Sequence, residues 1–489
     1  MRWLIKVFGY FGVFIISVLL LFSLYVIAKA TILYSALTPE HLAQKTAYLK
    51  KVSLLPRNER PNVVIIYFDD LGYGDLSSYG NALIRTPWMD SIAGQGLLFT
   101  RFYSSASVCT PARAALLTGR YPPRHHTHRH VFFPEGSPVA FYRKARGLQN
   151  ALPKDEILLP EVLQAAGFQT ALVGKWHLGD KKGHQPNDFG FQMFYGVHFS
   201  NDMKPFQVFL NDQVVIPPDK IDQRNLTELY TQKAVEFIKL QAQNQQPFFL
   251  YFAHTFPHVP HFVAEKFKGK SSGGLYGDIV EALDYSVGEI WQTLRQAGIA
   301  DNTILIITSD NGADFGGSAG HFRGRKQEVF EGGFLVPFIV SYPAKMKKAA
   351  VVEDPFMALD VFPTLLELMN IPLPDDRTID GKSLSQVWLG QTSQSPHEDL
   401  LFFEPFSGKI GAIRQGIWKY HTRKQKLVPN LFYPLPNFLT VFAEPALYDL
   451  TKDQESHNLI ALQPAVAKQL ENKIAAEEAA LQKNQRGWK

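Results

Sequence analysis

Four separate stretches of this chain run apolar without a break and then stop on a cluster of polar or glycine residues. Asn62 to Phe68 (NVVIIYF) leads into Asp69, Asp70 and the turn Leu71 to Asp75 (LGYGD). Gln169 to Val173 (QTALV) leads into Gly174, Lys175, Trp176 and His177. Pro247 to Ala253 (PFFLYFA) leads into His254, and Thr303 to Thr308 (TILIIT) into Ser309, Asp310, Asn311 and Gly312. A strand with no polar face is buried on both faces, as in a parallel sheet covered on two sides by helices. Between these runs lie helical patterns at 159–166, 227–241 and 278–297. In the last, Ile279, Leu283, Val287, Ile290 and Leu294 form a core-facing stripe. The alternation predicts an α/β fold with a large, mixed, mostly parallel sheet flanked by helices. Ligands in such sheets bind beyond the carboxyl ends of strands, so the four polar clusters are expected to share one site.

The texture changes past the turn-rich stretches at 372–376 and 392–396. Short alternating strands follow at 400–403, 411–414, 418–421 and 446–449, then a helix from about Pro464 to Gln482. This predicts a small C-terminal α+β domain with an antiparallel sheet, over 386–489. The larger domain is placed at 61–385. The apolar, Pro- and Phe-rich stretch from Leu427 to Pro445 interrupts the later strands and is read as a packed loop ahead of a membrane contact or a lid.

A chain of 489 residues exceeds one ordinary core, which agrees with two domains. The formal charge of +5 is mild and no dense Lys/Arg tract occurs, so nucleic acid is not an expected partner. Arg2 and Lys6 precede an uncharged stretch from Val7 to Ala28. As a helix it reaches roughly the 30 Å of a bilayer core, so residues 1–30 are read as a signal anchor. A cleaved signal peptide ending at Ala28, Lys29 and Ala30 stays open. Residues 31–60 are read as a polar linker. The body is then expected outside the cytoplasm, and the single cysteine favours a bacterial periplasm over a disulfide-rich secreted setting. Asn225 to Thr227 forms a glycosylation triplet, which arises often by chance.

That cysteine, Cys109, cannot form an intrachain disulfide and is followed by Thr110, Pro111, Ala112 and Arg113. Its setting favours chemistry over packing. The carboxylates of Asp69, Asp70 and Asp310 and the amide of Asn311 are hard oxygen ligands, suited to Ca²⁺ or Mg²⁺. Adjacent acidic residues in loops also serve as turn formers, so neither pair settles the matter by itself.

Taken in order, these segments resemble the type I, formylglycine-dependent sulfatases of the alkaline phosphatase superfamily, in their arylsulfatase A-like branch. Asp69 to Asp75 resembles the first metal loop, and Cys109 to Arg120 (CTPARAALLTGR) the activation segment. Gly174 to Gly179 (GKWHLG), Ser309 to Gly312 (SDNG) and Gly320 to Gly333 resemble further core motifs, and 412–419 and 447–450 the C-terminal domain. The resemblance implies that Cys109 is oxidised to formylglycine by a maturation enzyme and that the hydrated aldehyde is the nucleophile. It implies one divalent cation, Ca²⁺ in preference to Mg²⁺, held by Asp69, Asp70, Cys109, Asp310 and Asn311. Arg113 would hydrogen-bond the nucleophile. Lys175, Lys326, His254 and Ser200 would hold the sulfate. His254, with Lys326, would protonate the leaving alcohol, and His177 would take the proton when the aldehyde re-forms.

His125, His126, His128, His130, His258, His261 and His321 are placed near the pocket but outside the core set. The expected activity is hydrolysis of a sulfate ester, from a sulfated sugar or an aryl sulfate, to an alcohol and sulfate. A phosphonate or phosphodiester hydrolase on the same scaffold, or an unmodified binding protein, stays open.

Overall fold

Ten strands hydrogen-bond into one sheet, in the spatial order Ala350–Val352, Leu97–Phe99, Phe338–Ser341, Thr303–Ser309, Asn62–Asp69, Phe248–Pro257, Gln169–Lys175, Met193–Val197, Val208–Leu210, Gln213–Ile216. The computed structural model describes residues 10, 12–18, 20, 21, 25, 39–56, 60–346, 349–422, 425–430, 437–442, 444–452 and 454–489. At 425–430 and 437–442 it describes the backbone alone. The four predicted apolar runs are neighbours at the sheet's centre, all parallel to one another. Antiparallel pairs occur toward both edges, so the sheet is mixed and mostly parallel at its core.

Alternation along these strands feeds two separate apolar layers. Val63, Ile65 and Tyr67 enter one layer; Val64, Ile66 and Phe68 enter the other. Helices Leu226–Gln243 and Gly274–Gln296 cover the second layer with residues that include Tyr230, Phe237, Leu283 and Ile290. Helices Cys109–Thr118, Leu159–Ala165 and Val361–Leu368 cover the first. Each fully buried Val, Leu, Ile or Phe contributes about 1.5–3 kcal/mol, so the double layer fixes which strands lie at the centre.

A four-stranded antiparallel sheet, Asp399–Phe403, Ile410–Gln415, Trp418–His421 and Ala446–Asp449, follows in the order of the chain. Helix Pro464–Lys483 packs Ala467, Leu470 and Ile474 against Leu401, Ile413 and Leu447 of that sheet.

Two expectations need correction. Part of the supposed linker 31–60 is helix Pro39–Ser53. It buries Tyr48 and Val52 in the first layer, and Lys45 Nζ reaches Glu161 at 2.6 Å. Its polar composition misled because its apolar stripe is narrow. The stretch 427–445, read as a packed loop, contains parts of two paired antiparallel strands, Gln425–Asn430 and Asn437–Phe442. Residues 431–436 and 443 lie outside the described residues. So does half of the apolar stretch 7–28, together with the alternative cleavage site at 28–30. Among the described residues no helix is long and apolar enough to cross a membrane.

Candidate active site

The four central strands deliver their polar ends to one place. Asp69 ends its strand and Asp70 follows with φ of 70°, in the left-handed region that non-glycine residues seldom occupy. Lys175 ends a second strand, and His177 beyond it also has positive φ, 62°. Asp310 and Asn311 follow a third. Such backbone conformations cost about 1–3 kcal/mol each and persist where surrounding contacts over-determine them. Here Asp70 N–H donates to Asp310 Oδ1 at 3.1 Å, and His177 N–H to His198 O at 2.8 Å.

Cys109 is the first residue of helix Cys109–Thr118, which is buried along its whole length. Its Sγ lies 3.3 Å from Asp69 Oδ1. One turn on, Arg113 is wholly buried, so it is not the exposed helix arginine its position also allows. Its guanidinium donates to Asp310 Oδ2 at 2.8 and 3.0 Å and to Lys175 O at 3.2 Å, and stands 3.4 Å from Asp69 Oδ1. Arg113 therefore braces the carboxylates around Cys109.

Two ammonium groups close over the adjacent aspartates. Lys175 Nζ donates to Asp69 Oδ2 and to Ser200 Oγ, each at 2.6 Å. Lys326 Nζ donates to Asp70 Oδ2 at 2.6 Å. Burial by itself would raise Asp69, but Lys175, His258, Arg113 and Lys326 together hold it well below the usual carboxylate range. Burial pushes Asp310 up to about 7, aided by the neighbouring Asp69 charge.

One ligand atom from each of Asp69, Asp70, Cys109 and Asp310 falls within a 4.8 Å cluster, all four residues buried. Asn311 donates its amide N–H to Asp70 Oδ1 at 2.9 Å and keeps a buried Oδ1 with no hydrogen-bond partner. A hard divalent cation fits this set, which offers three carboxylates and a spare amide oxygen beside Cys109.

The structure separates His254, within the fourth strand, from His258, just past its end. His254 does not face the site. It packs against Phe68 and Phe252, and Nε2 meets Ser286 Oγ at 3.2 Å on helix Gly274–Gln296. The reason is alternation. Phe248, Leu250 and Phe252 face that helix layer, and His254 is next in the series. Beyond Ala253 the pairing with the central strand shifts: Tyr67 pairs with Ala253 and Asp69 with Pro257. The extra residues bring His258 round to the site. His258 Nε2 lies 3.7 Å from Asp70 Oδ2, while Nδ1 faces Asn201 Oδ1 at 3.1 Å and Val259 O at 2.5 Å. Both of those oxygens are acceptors, so Nδ1 carries the proton and Nε2 is presented to the site. The signal for His258 was in the sequence: strand parity excludes His254, and the next histidine lies just past the strand end.

His177 is gathered with the others. Its Nε2 meets Phe132 O at 3.1 Å, its Nδ1 has no partner among the described residues, and its carbonyl accepts from Thr110 Oγ1 at 2.9 Å, beside Cys109. His125 is structural, with Nε2 3.2 Å from Arg120 O and Nδ1 bonded to Thr127 Oγ1 at 2.9 Å.

Residues 61–371 match the family model described as Sulfatase, and 317–483 the one described as N-sulphoglucosamine sulphohydrolase, C-terminal. The chain belongs to the sulfatase family, in the alkaline phosphatase superfamily, and is a sulfuric ester hydrolase. It is 39% identical to rat (Rattus norvegicus) N-acetylgalactosamine-6-sulfatase over 349 residues, which is 67% of this chain and 66% of that protein. It is 35% identical to bovine (Bos taurus) arylsulfatase A over 437 residues, 82% of this chain and 83% of that protein. A solved Bacteroides thetaiotaomicron structure, described with the metabolism of multiple glycosaminoglycans, superposes with a TM-score of 0.76. It is 28% identical and covers 86% of this chain and 100% of its own.

Proposed function

We propose that this protein hydrolyses the sulfate ester of a sulfated sugar through a formylglycine formed at Cys109. The carrying observation is the pair of ammonium groups, Lys175 and Lys326, each 2.6 Å from one of two adjacent buried aspartates around the cysteine position. Once formed, the hydrated aldehyde supplies an oxygen nucleophile in place of the thiol. Asp69, Asp70, Asp310, Asn311 and the modified Cys109 would hold a divalent cation, whose charge would offset that of sulfate and favour an ionised nucleophile.

The remaining work falls to the chain's own side chains. Lys175 and Lys326 place fixed positive charge where sulfate oxygens gather charge in the transition state. Ser200, bonded to Lys175, completes that cradle. His258 faces the leaving oxygen with Nε2. As an imidazolium, protonated at Nε2 as well as Nδ1, it passes the Nε2 proton to that oxygen and returns to the neutral ring, with the Lys326 ammonium as the second donor, and so takes the role expected of His254. His177 keeps Nδ1 free to accept the proton released when sulfate departs. Arg113 holds Asp69 and Asp310 in register. A sulfated sugar follows from the names of the galactosamine-directed relatives, with an aryl sulfate as the practical assay.

We further propose an extracytoplasmic location with residues 7–28 as anchor, supported by the uncharged stretch behind Arg2 and Lys6 and by the single cysteine. The test of the central reading is direct. Mass spectrometry of the Cys109 peptide from native-host protein should show an aldehyde in place of the thiol. Cys109→Ala should remove turnover of sulfated sugars and of an aryl sulfate while the fold persists. Full activity in Cys109→Ala refutes the mechanism.

A further inference from the structure

Lys326 lies on a long connection between strand Thr303–Ser309 and helix Glu331–Phe334, with no regular element of its own. Its ammonium is nevertheless placed 2.6 Å from Asp70. The backbone N–H of Lys326 donates to Ala313 O at 2.9 Å, and residues of the C-terminal sheet and the loop after it hold the segment at Arg323 and Glu331.

Glu455 sits in that loop with its side chain wholly buried. Its Oε2 accepts from Glu331 N–H at 2.7 Å, and its backbone carbonyl accepts from Arg323 Nη1 at 2.5 Å. One residue therefore grips the Lys326 segment on both sides of the lysine. Glu455 has φ of 60°, a left-handed conformation that points its carboxylate and its carbonyl at two sites on one segment. Lys419 Nζ ties this grip together, 2.8 Å from Glu331 Oε1 and 3.2 Å from Glu455 Oε1. His421 Nε2 lies 2.7 Å from Glu455 Oε1, and Tyr103 Oη donates to Glu331 Oε2 at 2.5 Å. Arg414 in turn bonds Tyr103 Oη.

The held segment touches the metal-binding set. Gly312, next to Asn311, donates N–H to Gly333 O at 3.1 Å, and a Cβ there would stand 2.0 Å from Gly332 O. Gln327 N–H donates to Ser107 O at 2.8 Å, two residues before Cys109. Lys419 and Glu455 bond to Glu331, Arg323 and His421, so their influence on the centre runs through Arg323 and Glu331.

We propose that Glu455 and Lys419 are positioning residues for Lys326, which makes the C-terminal sheet part of the catalytic apparatus and not only a packed neighbour. The proposal rests on the reading of Lys326 as a sulfate-binding group. The alternative is that the buried charges merely hold two parts of the chain together.

The test uses the full-length protein with inorganic sulfate as probe, binding followed by calorimetry and folding by thermal melts. The variants are Lys326→Met, Glu455→Gln and the milder Tyr103→Phe, with each of the latter two also combined with Lys326→Met. Lys326→Met should weaken sulfate at least about tenfold, and Glu455→Gln about five- to tenfold, within the range of coupled neighbours. In the Lys326→Met background Glu455→Gln should cost nothing more. With an aryl sulfate, Glu455→Gln should lower kcat/KM by a similar factor. If Glu455→Gln does not fold, Tyr103→Phe takes its place in the same cycle. Unchanged sulfate binding in the folded variant overturns the proposal, as does an equal loss with and without Lys326. If Lys326→Met itself binds sulfate like the parent, the reading of Lys326 falls, and this proposal with it.

Discussion

Lys175 and Asp69 meet at 2.6 Å with neither side chain exposed to solvent. A buried pair of this kind gives little net stability, because desolvation offsets most of the Coulombic gain, but removing one partner leaves an uncompensated charge. Asp69 already has Arg113 at 3.4 Å and Cys109 at 3.3 Å, so the pair serves the site more than the fold. Lys175→Met should cost less than the roughly 3–5 kcal/mol of a fully orphaned buried charge, because Arg113 stays beside Asp69. It should also lower kcat/KM for an aryl sulfate by about 10²–10³, the usual loss for one charge-stabilising donor. Chemical denaturation and steady-state kinetics check both, and near-parent kinetics would remove Lys175 from the sulfate cradle.

His254 and His258 should separate cleanly. His258→Asn is expected to lower kcat by about 10²–10⁴, the range for a lost acid–base group. His254→Phe, buried against Phe68 and Phe252, should keep kcat within about threefold and change mainly the melting temperature. The reverse ranking would restore His254 to the site.

Metal removal should act on stability as well as rate. Without a cation, Asp69, Asp70 and Asp310 repel one another in a buried cluster. A chelator should therefore lower the melting temperature, and Ca²⁺ should restore it in a concentration-dependent way by about 2.7 kcal/mol at a hundredfold excess over Kd. Asn311→Ala should weaken that restoration. A melt unmoved by chelator and by Ca²⁺ would argue against the cation.

Acid stability should depend on Glu156. It is fully buried, Arg120 Nη1 lies 2.7 and 2.9 Å from its oxygens, and Arg486 Nη2 lies 2.9 Å away. Burial would raise its carboxyl, but Arg120, Arg486 and Arg377 hold it well below the usual range. A carboxyl with a depressed folded value contributes stability that is complete above its unfolded value of about 4.3. That contribution is lost as pH falls through the folded value. Glu156→Gln should thus be less stable than the parent at pH 7 by about 3–5 kcal/mol, with the gap narrowing only below about pH 4.3. Denaturation at pH 7, 5 and 3.5 measures it; a gap constant across that range would contradict the assignment.

Much of the site is legible in the sequence because strand ends in a parallel sheet converge. The apolar runs set the order of burial, and the residues after them, Asp69, Asp70, Lys175, His177, Asp310 and Asn311, had to meet on one edge. Strand parity is equally legible at His254, where Phe248, Leu250 and Phe252 already mark the buried face. The helix at Pro39–Ser53 is harder to read, since its stability comes from burying Tyr48 and Val52 on a surface made by residues more than a hundred positions away.

The sequence by itself determined the double-covered sheet and which polar residues, Asp69, Asp70, Lys175, Asp310 and Asn311 among them, stand at its strand ends, because period and residue chemistry are local properties. Only the tertiary structure decided that His258 and not His254 faces the carboxylates, that Arg113 braces them, and that Glu455 grips the Lys326 segment on either side. Those outcomes depend on a pairing shift between Tyr67 and Asp69 and on contacts between residues about 130 positions apart. Such contacts form only once two packed apolar layers have brought the strand ends, the long connection and the C-terminal sheet together.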